Sequence, residues 1–446
     1  MTRHQFDPAD TSRFAQPESH TDSDGVLRFT LPPRPAGSAS VLQLRTEPLP
    51  AVRVGIVGLG LRGPVAALRL AQIEGVEIRA LCDISRERAE NARKVLQQAG
   101  HGTADIYDGP RGWIEMCRNS DTDLIYICTP WDSHAMIAIH AMECGRHAAV
   151  EIPAAVTLAE AAAIVDTAER TRRHCMMLEN CVYDNFELTT LAMAHEGLFG
   201  RILNVDGGYI HLLDELEPWR LEFNRTHRGD LYASHGLGPA CQLLDIHRGD
   251  RLDTLVCFDT ASVCGARISG CREFANGDIT TTLLRTVRGS TIMLRHDVFT
   301  PQPYSRMYRL TGSDGFADKY PVERYAFRPA QLEGLVDTQR IDPHAELPAD
   351  IQRSLCERFR PRITEHIADT ARRIDPQRDG INYITDYRLI HCLRHGLPLD
   401  QDVYDAAEWS CIGPLTAASL ARGGAPVGIP DFTRGQWDAI KGYRHA

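Results

Sequence analysis

The sequence lacks the marks of a secreted, membrane-spanning or zinc-binding protein. Its 13 cysteines are scattered along 446 residues, without a C-x-x-C pair or the repeated spacing of a zinc site. No run of about 18 apolar residues occurs, and residues 1–50 contain no continuous apolar segment of the kind that forms a signal peptide. We therefore expect a cytoplasmic protein with reduced thiols, no membrane span and no bound metal.

A strongly basic character is also missing. The formal net charge is -10 and the sequence pI is about 6.0. Proteins that bind nucleic acids neutralise phosphate groups with clustered lysine and arginine, so this charge argues against a nucleic-acid partner. Internal repeats are absent, and the chain is about three times as long as a domain of about 150 residues. The length therefore predicts two domains and an additional segment.

One glycine-rich motif directly follows an apolar run. Residues 58–63 are Gly-Leu-Gly-Leu-Arg-Gly, and Asp83 lies twenty residues after Gly63. In this pattern Gly58 permits a tight turn, Gly60 lets the backbone approach a pyrophosphate, and Gly63 lets the next helix pack on its strand. The N-terminus of that helix then faces the anion. The motif therefore predicts a dinucleotide site at the start of a doubly wound sheet.

The order of the predicted elements indicates the fold class. Strands alternate with helices over residues 51–180, which is typical of parallel βαβ units in a Rossmann-like α/β domain. Residues 181–446 are predicted to form an α+β domain with an open, mainly antiparallel sheet and a helical C-terminal tail. Its strands are expected at 202–211, 254–263, 279–287, 291–297 and 306–311, with a helix at 239–248 between them. The clearest helices of the tail are expected at 382–395 and 406–422.

Residues 1–50 are predicted to be a polar N-terminal extension rather than a domain. Short strands are expected there at 26–31 and 40–45. Because the open edges of the predicted second sheet favour pairing with another subunit, we also expect a homo-oligomer.

Six ordered motifs narrow the family. They are Trp131-Asp132-Ser133-His134, Glu151-Ile152-Pro153-Ala154-Ala155, Met177-Leu178-Glu179-Asn180-Cys181, Gly208-Tyr209-Ile210-His211, Trp219-Arg220 and Tyr232-Ala233-Ser234-His235-Gly236-Leu237-Gly238-Pro239. Over residues 50–325 the chain resembles the glycosyl hydrolase 109 family, within the glucose-fructose oxidoreductase and inositol dehydrogenase superfamily. The resemblance implies an NAD-dependent α-N-acetylgalactosaminidase that acts on a small-molecule or glycan substrate.

Two positions depart from related patterns. Dehydrogenases of the superfamily usually carry a catalytic lysine in a Glu-Lys-Pro motif, and Ile152 occupies that place here. Because this side chain cannot transfer a proton, Ile152 disfavours simple alcohol oxidation and favours the hydrolase branch. Leu212 follows His211 where that branch commonly has an acidic residue, and the loop 212–219 is short. These differences bear on the identity of the sugar more than on the chemistry.

The resemblance implies NAD as the cofactor and places its contacts on the glycine loop and on strand ends. Asp83 would accept hydrogen bonds from the adenosine ribose and repel a 2′-phosphate, which favours NAD over NADP, whereas Arg86 weakens that preference. Asp83 could also be a surface turn residue, and Trp131 a core residue. The expected cofactor-binding residues are Gly58, Gly60, Leu61, Arg62, Gly63, Asp83, Trp131, Asp132, Ser133, His134, Glu151, Ile152 and Asn180.

The implied reaction has no net redox change. NAD takes a hydride from C3 of the sugar, C2 loses a proton, the glycosidic oxygen leaves by elimination, water adds to C1, and the hydride returns. These steps need groups that transfer protons near neutral pH. The candidates are His235, Tyr183, Tyr232 and Glu151, and the sequence does not divide the roles among them. His235 could instead be structural, and Glu151 could belong to a helix cap or an ion pair.

The resemblance also implies sugar contacts in the second domain. Aromatic rings stack on sugar faces, and Arg220 can donate several hydrogen bonds, although an exposed arginine is often only solvated. The expected substrate-binding residues are Tyr209, Arg220, Tyr232, Ala233, Ser234, His235 and Tyr320. Two other functions are compatible with the same fold: a sugar or polyol dehydrogenase with exchangeable NAD, and a cofactor-binding regulator without turnover.

Overall fold

The structure, a computed structural model, describes residue 14, residues 16–212 and residues 217–445, and it contains two β-sheets with flanking helices. The strands are β1 Glu18–Thr21, β2 Leu27–Thr30, β3 Val52–Val57, β4 Val76–Asp83, β5 Asp105–Asp108, β6 Leu124–Ile127, β7 His147–Val150, β8 Cys175–Met177, β9 Ile202–Ile210, β10 Leu252–Asp259, β11 Ile279–Thr286, β12 Thr291–Asp297, β13 Arg309–Gly312, β14 Gly315–Asp318, β15 Arg324–Phe327 and β16 Val427–Gly428. The α-helices are α1 Gly63–Leu70, α2 Arg86–Gln98, α3 Gly112–Asn119, α4 His134–Glu143, α5 Leu158–Thr171, α6 Asn185–His195, α7 Pro218–Thr226, α8 Ser234–Leu243, α9 Cys264–Ser269, α10 Ala349–Arg358, α11 Arg362–Glu365, α12 Ala368–Ile374, α13 Ile381–His395 and α14 Val403–Ala421.

The smaller sheet has the predicted Rossmann-like topology. Its strand order is β5-β4-β3-β6-β7-β8, and every neighbouring pair is parallel. β6, β7 and β8 are buried along their whole length, as expected for parallel strands covered on both faces. The strand order reverses between β3 and β6. The carboxyl ends of these two strands therefore border the crevice in which open α/β sheets bind ligands.

The larger sheet is mixed and mainly antiparallel, which confirms the predicted second sheet. Its order is β1-β2-β16-β10-β11-β12-β9-β13-β14-β15, and only the pairs β12 with β9 and β16 with β2 are parallel among the described strands. Along β11, buried and exposed residues alternate, so one face of this strand packs on the interior.

The N-terminal segment joins this larger sheet. β2 lies within the predicted strand 26–31 and pairs with β16, whereas the prediction of a strand at 40–45 is wrong. That segment forms a turn, in which the Val41 backbone donates a hydrogen bond to the Tyr404 hydroxyl at 3.1 Å. Residues 1–13 and 15 of the predicted extension lie outside the described residues, as do residues 213–216 of the predicted short loop.

Helix α8 begins earlier than the sequence predicted. The expected helix 239–248 started at Pro239, but the structure places that proline inside α8, in the middle of Ser234–Leu243. Gly236 and Gly207 explain the shift, because a Cβ on Gly207 would lie 2.5 Å from the Gly236 carbonyl oxygen. Glycine on both elements lets α8 cross β9 at close range, and this crossing places His235 in the first turn of the helix.

The two predicted C-terminal helices are confirmed as α13 and α14, and both lie against the Rossmann-like domain. α13 contacts α1 and β3, and α14 contacts α5 and β8 as well as β10 of the larger sheet. A buried ion pair between Arg69 and Asp386, with Nε 2.6 Å from Oδ2, fastens α13 to α1. The domain boundary after residue 180 stays a prediction. Among the described residues, no helix is both long and apolar enough to cross a membrane.

Candidate active site

The glycine turn has the geometry that a bound dinucleotide requires. Gly58 has φ +89°, and a Cβ there would lie 2.6 Å from the Cys128 carbonyl oxygen. A Cβ on Gly63 would overlap the Gly58 carbonyl oxygen, whereas a Cβ on Gly60 would meet nothing within 4 Å. The first and third glycines therefore serve the fold, while the second leaves its backbone open to a ligand. This open position is where the residues fit a pyrophosphate.

Asp83 closes the same turn from the end of β4. Its Oδ2 accepts a hydrogen bond from the Leu59 backbone at 2.7 Å, and its Oδ1 accepts one from the Ser85 backbone at 2.9 Å. Arg86 is held away by Glu90 and Asp108, at 3.0 and 3.1 Å. The carboxylate is thus fixed at the rim of the crevice, where a ribose would meet it, rather than lying in an exposed turn.

A cavity of about 510 Å³ runs beside this turn. Of the predicted cofactor-binding residues, it is lined by Gly58, Gly60, Leu61, Arg62, Asp83, Trp131, Asp132, Ser133, His134, Glu151 and Ile152. Ser133 and His134 also hold the turn after β6: the Ser133 hydroxyl donates to the Pro130 carbonyl at 2.8 Å, and the His134 ring nitrogens lie 2.6 and 2.7 Å from the Thr129 and Pro153 carbonyl oxygens.

Trp131 and Arg220 form the wall between this cavity and the second domain. Trp131 is buried and stacks on Tyr232, with ring centroids 5.9 Å apart. The Arg220 guanidinium lies 5.1 Å from the Trp131 ring centroid and 4.8 Å from that of Tyr232. These cation–π contacts give Arg220 a defined position at the cavity, in place of the solvated position that the sequence left open.

His235 is held by a carboxylate that sequence reasoning missed. The His235 Nδ1 lies 2.9 and 2.8 Å from the two Glu179 carboxylate oxygens, and both side chains are buried. Burial raises the pKa of Glu179, but attraction and hydrogen bonding to His235 outweigh it and leave this pKa below its usual value. The Nε2 atom of His235 forms no hydrogen bond with any described residue. His235 also lines a second cavity.

Further hydrogen bonds hold Glu179 in place. The Cys181 backbone donates to its Oε1 at 2.8 Å, and the Gln401 side chain donates to its backbone carbonyl at 2.8 Å. Arg306 donates to the Cys181 sulfur at 3.2 Å and to Asp184 at 2.6 Å. The sequence carries one signal for Glu179, which lies in the motif Met177-Leu178-Glu179-Asn180-Cys181 at the end of the predicted Rossmann-like region 51–180.

The second cavity joins both domains. Arg62, Glu151, Ile152, Asn180, Tyr232 and His235 line it together with Arg378 and Asn382, which the sequence did not single out. The Asn180 amide donates to the Asn382 side-chain oxygen at 2.7 Å across 202 residues of sequence. The Glu151 side chain forms no hydrogen bond or ion pair with the described residues. The structure therefore brings His235, Tyr232 and Glu151 to one cavity.

The remaining predicted substrate residues lie at different distances from this cavity. Tyr209 is central, because its ring lies 4.8 Å from Tyr232 and 5.0 Å from His235. Tyr320 lines neither cavity. Its ring centroid lies 6.2 Å from that of Tyr304, which in turn lies 5.2 Å from the His211 ring centroid. Ala233 and Ser234 line a separate cavity of about 330 Å³ that shares Trp131, Ile152 and Tyr232 with the first.

Tyr183 does not join the other candidates. Its hydroxyl donates to Asp400 at 3.0 Å, and its side chain is only 1% exposed. Burial, followed by the nearby Asp400 carboxylate, raises the pKa of Tyr183 well above its usual value. A base needs a lowered pKa and access to substrate, so this geometry does not support Tyr183 as one of the proton-transfer groups.

Glu179, Cys181 and His235 are the one group of three potential metal ligands among the described residues, with ligand atoms within 4.8 Å of one another. The Cys181 sulfur already accepts a hydrogen bond from the cationic Arg306, and burial raises the pKa of its thiol well above the usual range. Both features disfavour a metal ion at this place. The absence of a metal stays a prediction.

Comparisons with known proteins identify the family of the chain. A family model described as glycosyl hydrolase 109, C-terminal domain, matches residues 213–439, and one described as oxidoreductase family, NAD-binding Rossmann fold, matches residues 52–179. A glycosyl hydrolase family 109 protein of Porphyromonas gingivalis is 51% identical over 94% of this chain and 92% of its own. A family 109 protein of Bacteroides fragilis is 49% identical over 94% of this chain and 93% of its own.

Solved structures share the fold at low sequence identity. An oxidoreductase domain protein from Kribbella flavida has a TM-score of 0.64 at 18% identity, covering 86% of this chain and 100% of its own. The myo-inositol 2-dehydrogenase of Lactobacillus plantarum has a TM-score of 0.60 at 17% identity, covering 85% and 100%. The predicted fold class, NAD as cofactor and the family resemblance are confirmed. The chain belongs to glycosyl hydrolase family 109 and is a glycoside hydrolase built on an NAD-binding Rossmann fold.

Proposed function

We propose that the protein removes terminal α-N-acetylgalactosamine from a glycan by oxidation, elimination, water addition and reduction. The observation that carries this proposal is the buried pair of His235 and Glu179 beside the cavity that Glu151 and Ile152 share with the cofactor crevice. Bound NAD would supply a reversible hydride acceptor for C3 of the sugar. The chain's own residues then have to bind the sugar and move protons.

His235 is the proton-transfer group in this proposal. Because its Nδ1 faces the Glu179 carboxylate, the hydrogen on Nδ1 is fixed and Nε2 presents its lone pair to the cavity. When Nε2 takes a proton from the sugar, the Glu179 charge stabilises the resulting imidazolium. Glu179 acts through His235, so it is a positioning residue, as the acid is in a catalytic triad.

Glu151 is the second proton-transfer group. It lines both cavities, and its carboxylate attracts Arg62 but forms no hydrogen bond or ion pair with the described side chains, which leaves it available to a sugar hydroxyl or to the leaving oxygen. Ile152 beside it is buried and cannot transfer a proton. This apolar wall supports a hydrolase over a dehydrogenase that uses lysine as its acid and base.

The experiment is hydrolysis of 4-nitrophenyl N-acetyl-α-galactosaminide in deuterated water by the purified protein. We expect release of nitrophenol, sugar carrying deuterium at C2, and NAD that is recovered only on denaturation. Steady accumulation of NADH from free sugar would identify a dehydrogenase instead. Absence of both reactions would leave a cofactor-binding protein without turnover.

A further inference from the structure

Two of the three arginines at the cavity beside His235, Arg62 and Arg378, form no ion pair with the part of the chain that the structure describes. Arg69 is paired with Asp386 at 2.6 Å, and Glu151 faces Arg62, whose pKa it raises by attraction. Arg378 lines the same cavity and forms no side-chain hydrogen bond or ion pair with any described residue. A guanidinium at a ligand cavity without a protein partner is a ready site for an anion.

The turn that carries Arg378 is well supported. A short 3₁₀ helix, Pro376–Arg378, precedes α13, and the Asp375 carboxylate accepts a hydrogen bond from the Asn382 backbone at 3.1 Å. Gly380 has φ +84°, and a Cβ there would lie 2.6 Å from the Ala371 side chain, so the turn packs tightly on α12. Arg378 is therefore presented to the cavity from a fixed position.

The charge of Arg378 acts on the sugar-binding side of the cavity. After burial, Arg378 is the largest influence that lowers the pKa of His211, followed by Arg220. Burial raises the pKa of Tyr209, and Arg220 and Arg378 oppose this rise. His211 and Tyr209 are joined by a 2.8 Å hydrogen bond on the side that leads to Tyr304 and Tyr320. The main charged groups that act on this pair are positive.

We propose that Arg378 binds an anionic oxygen group, a sulfate or a carboxylate, carried by the glycan, so that acidic glycosides are the preferred substrates. This inference rests on the proposed function for the identity of the sugar. A planar guanidinium donates two parallel hydrogen bonds to such a group, and a neutral N-acetylgalactosaminide leaves this capacity unused. The cofactor pyrophosphate is expected at Gly60 and Arg62, which leaves Arg378 for the substrate.

The test measures binding by calorimetry to the NAD-loaded protein, at low and at high salt. The probes are N-acetylgalactosamine, its 6-sulfate and its 4-sulfate. At low salt at least one sulfated sugar should bind about 10- to 100-fold more tightly than the neutral sugar, the range expected for a hydrogen bond to a charged group. The Arg378→Met variant should lose this preference and bind the neutral sugar within about 2-fold of wild type.

Arg372→Met is the matched control, because Arg372 is an exposed arginine on α12 whose side chain pairs only with Asp369 among the described residues. It should keep the preference. Equal binding of all three sugars, binding of none, or a preference that survives in Arg378→Met would overturn the inference. Loss of NAD from Arg378→Met would also overturn it, by assigning Arg378 to the cofactor. Since no turnover is measured, a protein that prefers the sulfated sugar but hydrolyses nothing would refute only the glycosidase proposal.

Discussion

The cofactor turn and the proton-transfer site differ in how far apart their parts lie in the sequence. The glycine turn and Asp83 belong to one β-α-β unit, and the hydrogen bond that joins them spans 24 residues. His235 and Glu179 lie 56 residues apart, and Asn180 meets Asn382 across 202 residues. Local spacing therefore specifies the cofactor turn, whereas the chemistry depends on contacts between domains. Substitutions in the two regions should therefore have separate effects, on NAD binding in the first and on turnover in the second.

The largest expected effect is that of His235→Gln. Loss of the proton-transfer group should lower kcat by about 10²- to 10⁴-fold, while NAD stays bound, because the glycine turn is untouched. Turnover and NAD content after denaturation are the two measurements. His20→Gln, at an exposed residue of β1, is the matched control and should behave as wild type. Near-normal turnover of His235→Gln would remove this residue from the mechanism.

Glu179→Gln should lower kcat by about 10²-fold, because the neutral amide no longer stabilises a charged His235. The limb of the pH–rate profile that reports His235 should move to lower pH, which a purely structural defect would not cause. Because the paired carboxylate has a lowered pKa, wild type should also lose more stability than the variant as pH falls below 4.5. Glu196→Gln, on an exposed residue after α6, is the control. An unmoved profile would contradict the role of Glu179.

The glycine turn predicts a split between binding and stability. Gly60→Ala should weaken NAD binding by about 10-fold or more with an unchanged Tm. The added Cβ would contact no protein atom within 4 Å and would occupy only the space expected for the cofactor. Gly58→Ala should instead lower the free energy of unfolding by about 1–3 kcal/mol, because alanine is strained at φ +89°. NAD titration and thermal melts measure both. Equal effects of the two variants on Tm would show that the second glycine is also structural.

The last expected effect is on stability alone, at Asp230, which lies on the segment leading to His235. Burial raises the pKa of this carboxyl to about 7. A raised carboxyl pKa means that stability falls as pH rises from about 4 to 7, so Asp230→Asn should be more stable than wild type at pH 8 and similar at pH 4. The gain is at most about 4 kcal/mol, at 1.36 kcal/mol per pK unit. Asp24→Asn, at an exposed residue, is the control.

Several features of the site followed from sequence because they depend on near neighbours. The turn at residues 58–63, the parallel strands and the tail helices each carry a local periodic or glycine signal. The start of α8 could not be predicted in this way, because it depends on how closely Gly236 approaches Gly207. Arg378 gave no signal, since an arginine in a polar turn is usually solvated and only the contact between α13 and the Rossmann-like domain brings it to the cavity.

The most direct test of the central claim is cleavage of a substrate whose C3 oxygen is methylated. If C3 must be oxidised before the glycosidic bond breaks, the 3-O-methyl form of 4-nitrophenyl N-acetyl-α-galactosaminide should be cleaved at least about 10²-fold more slowly than its parent. Binding of the methylated substrate should be measured as well, to show that slow cleavage does not result from a failure to bind. Cleavage of the bound methylated substrate at the parent's rate would contradict the account.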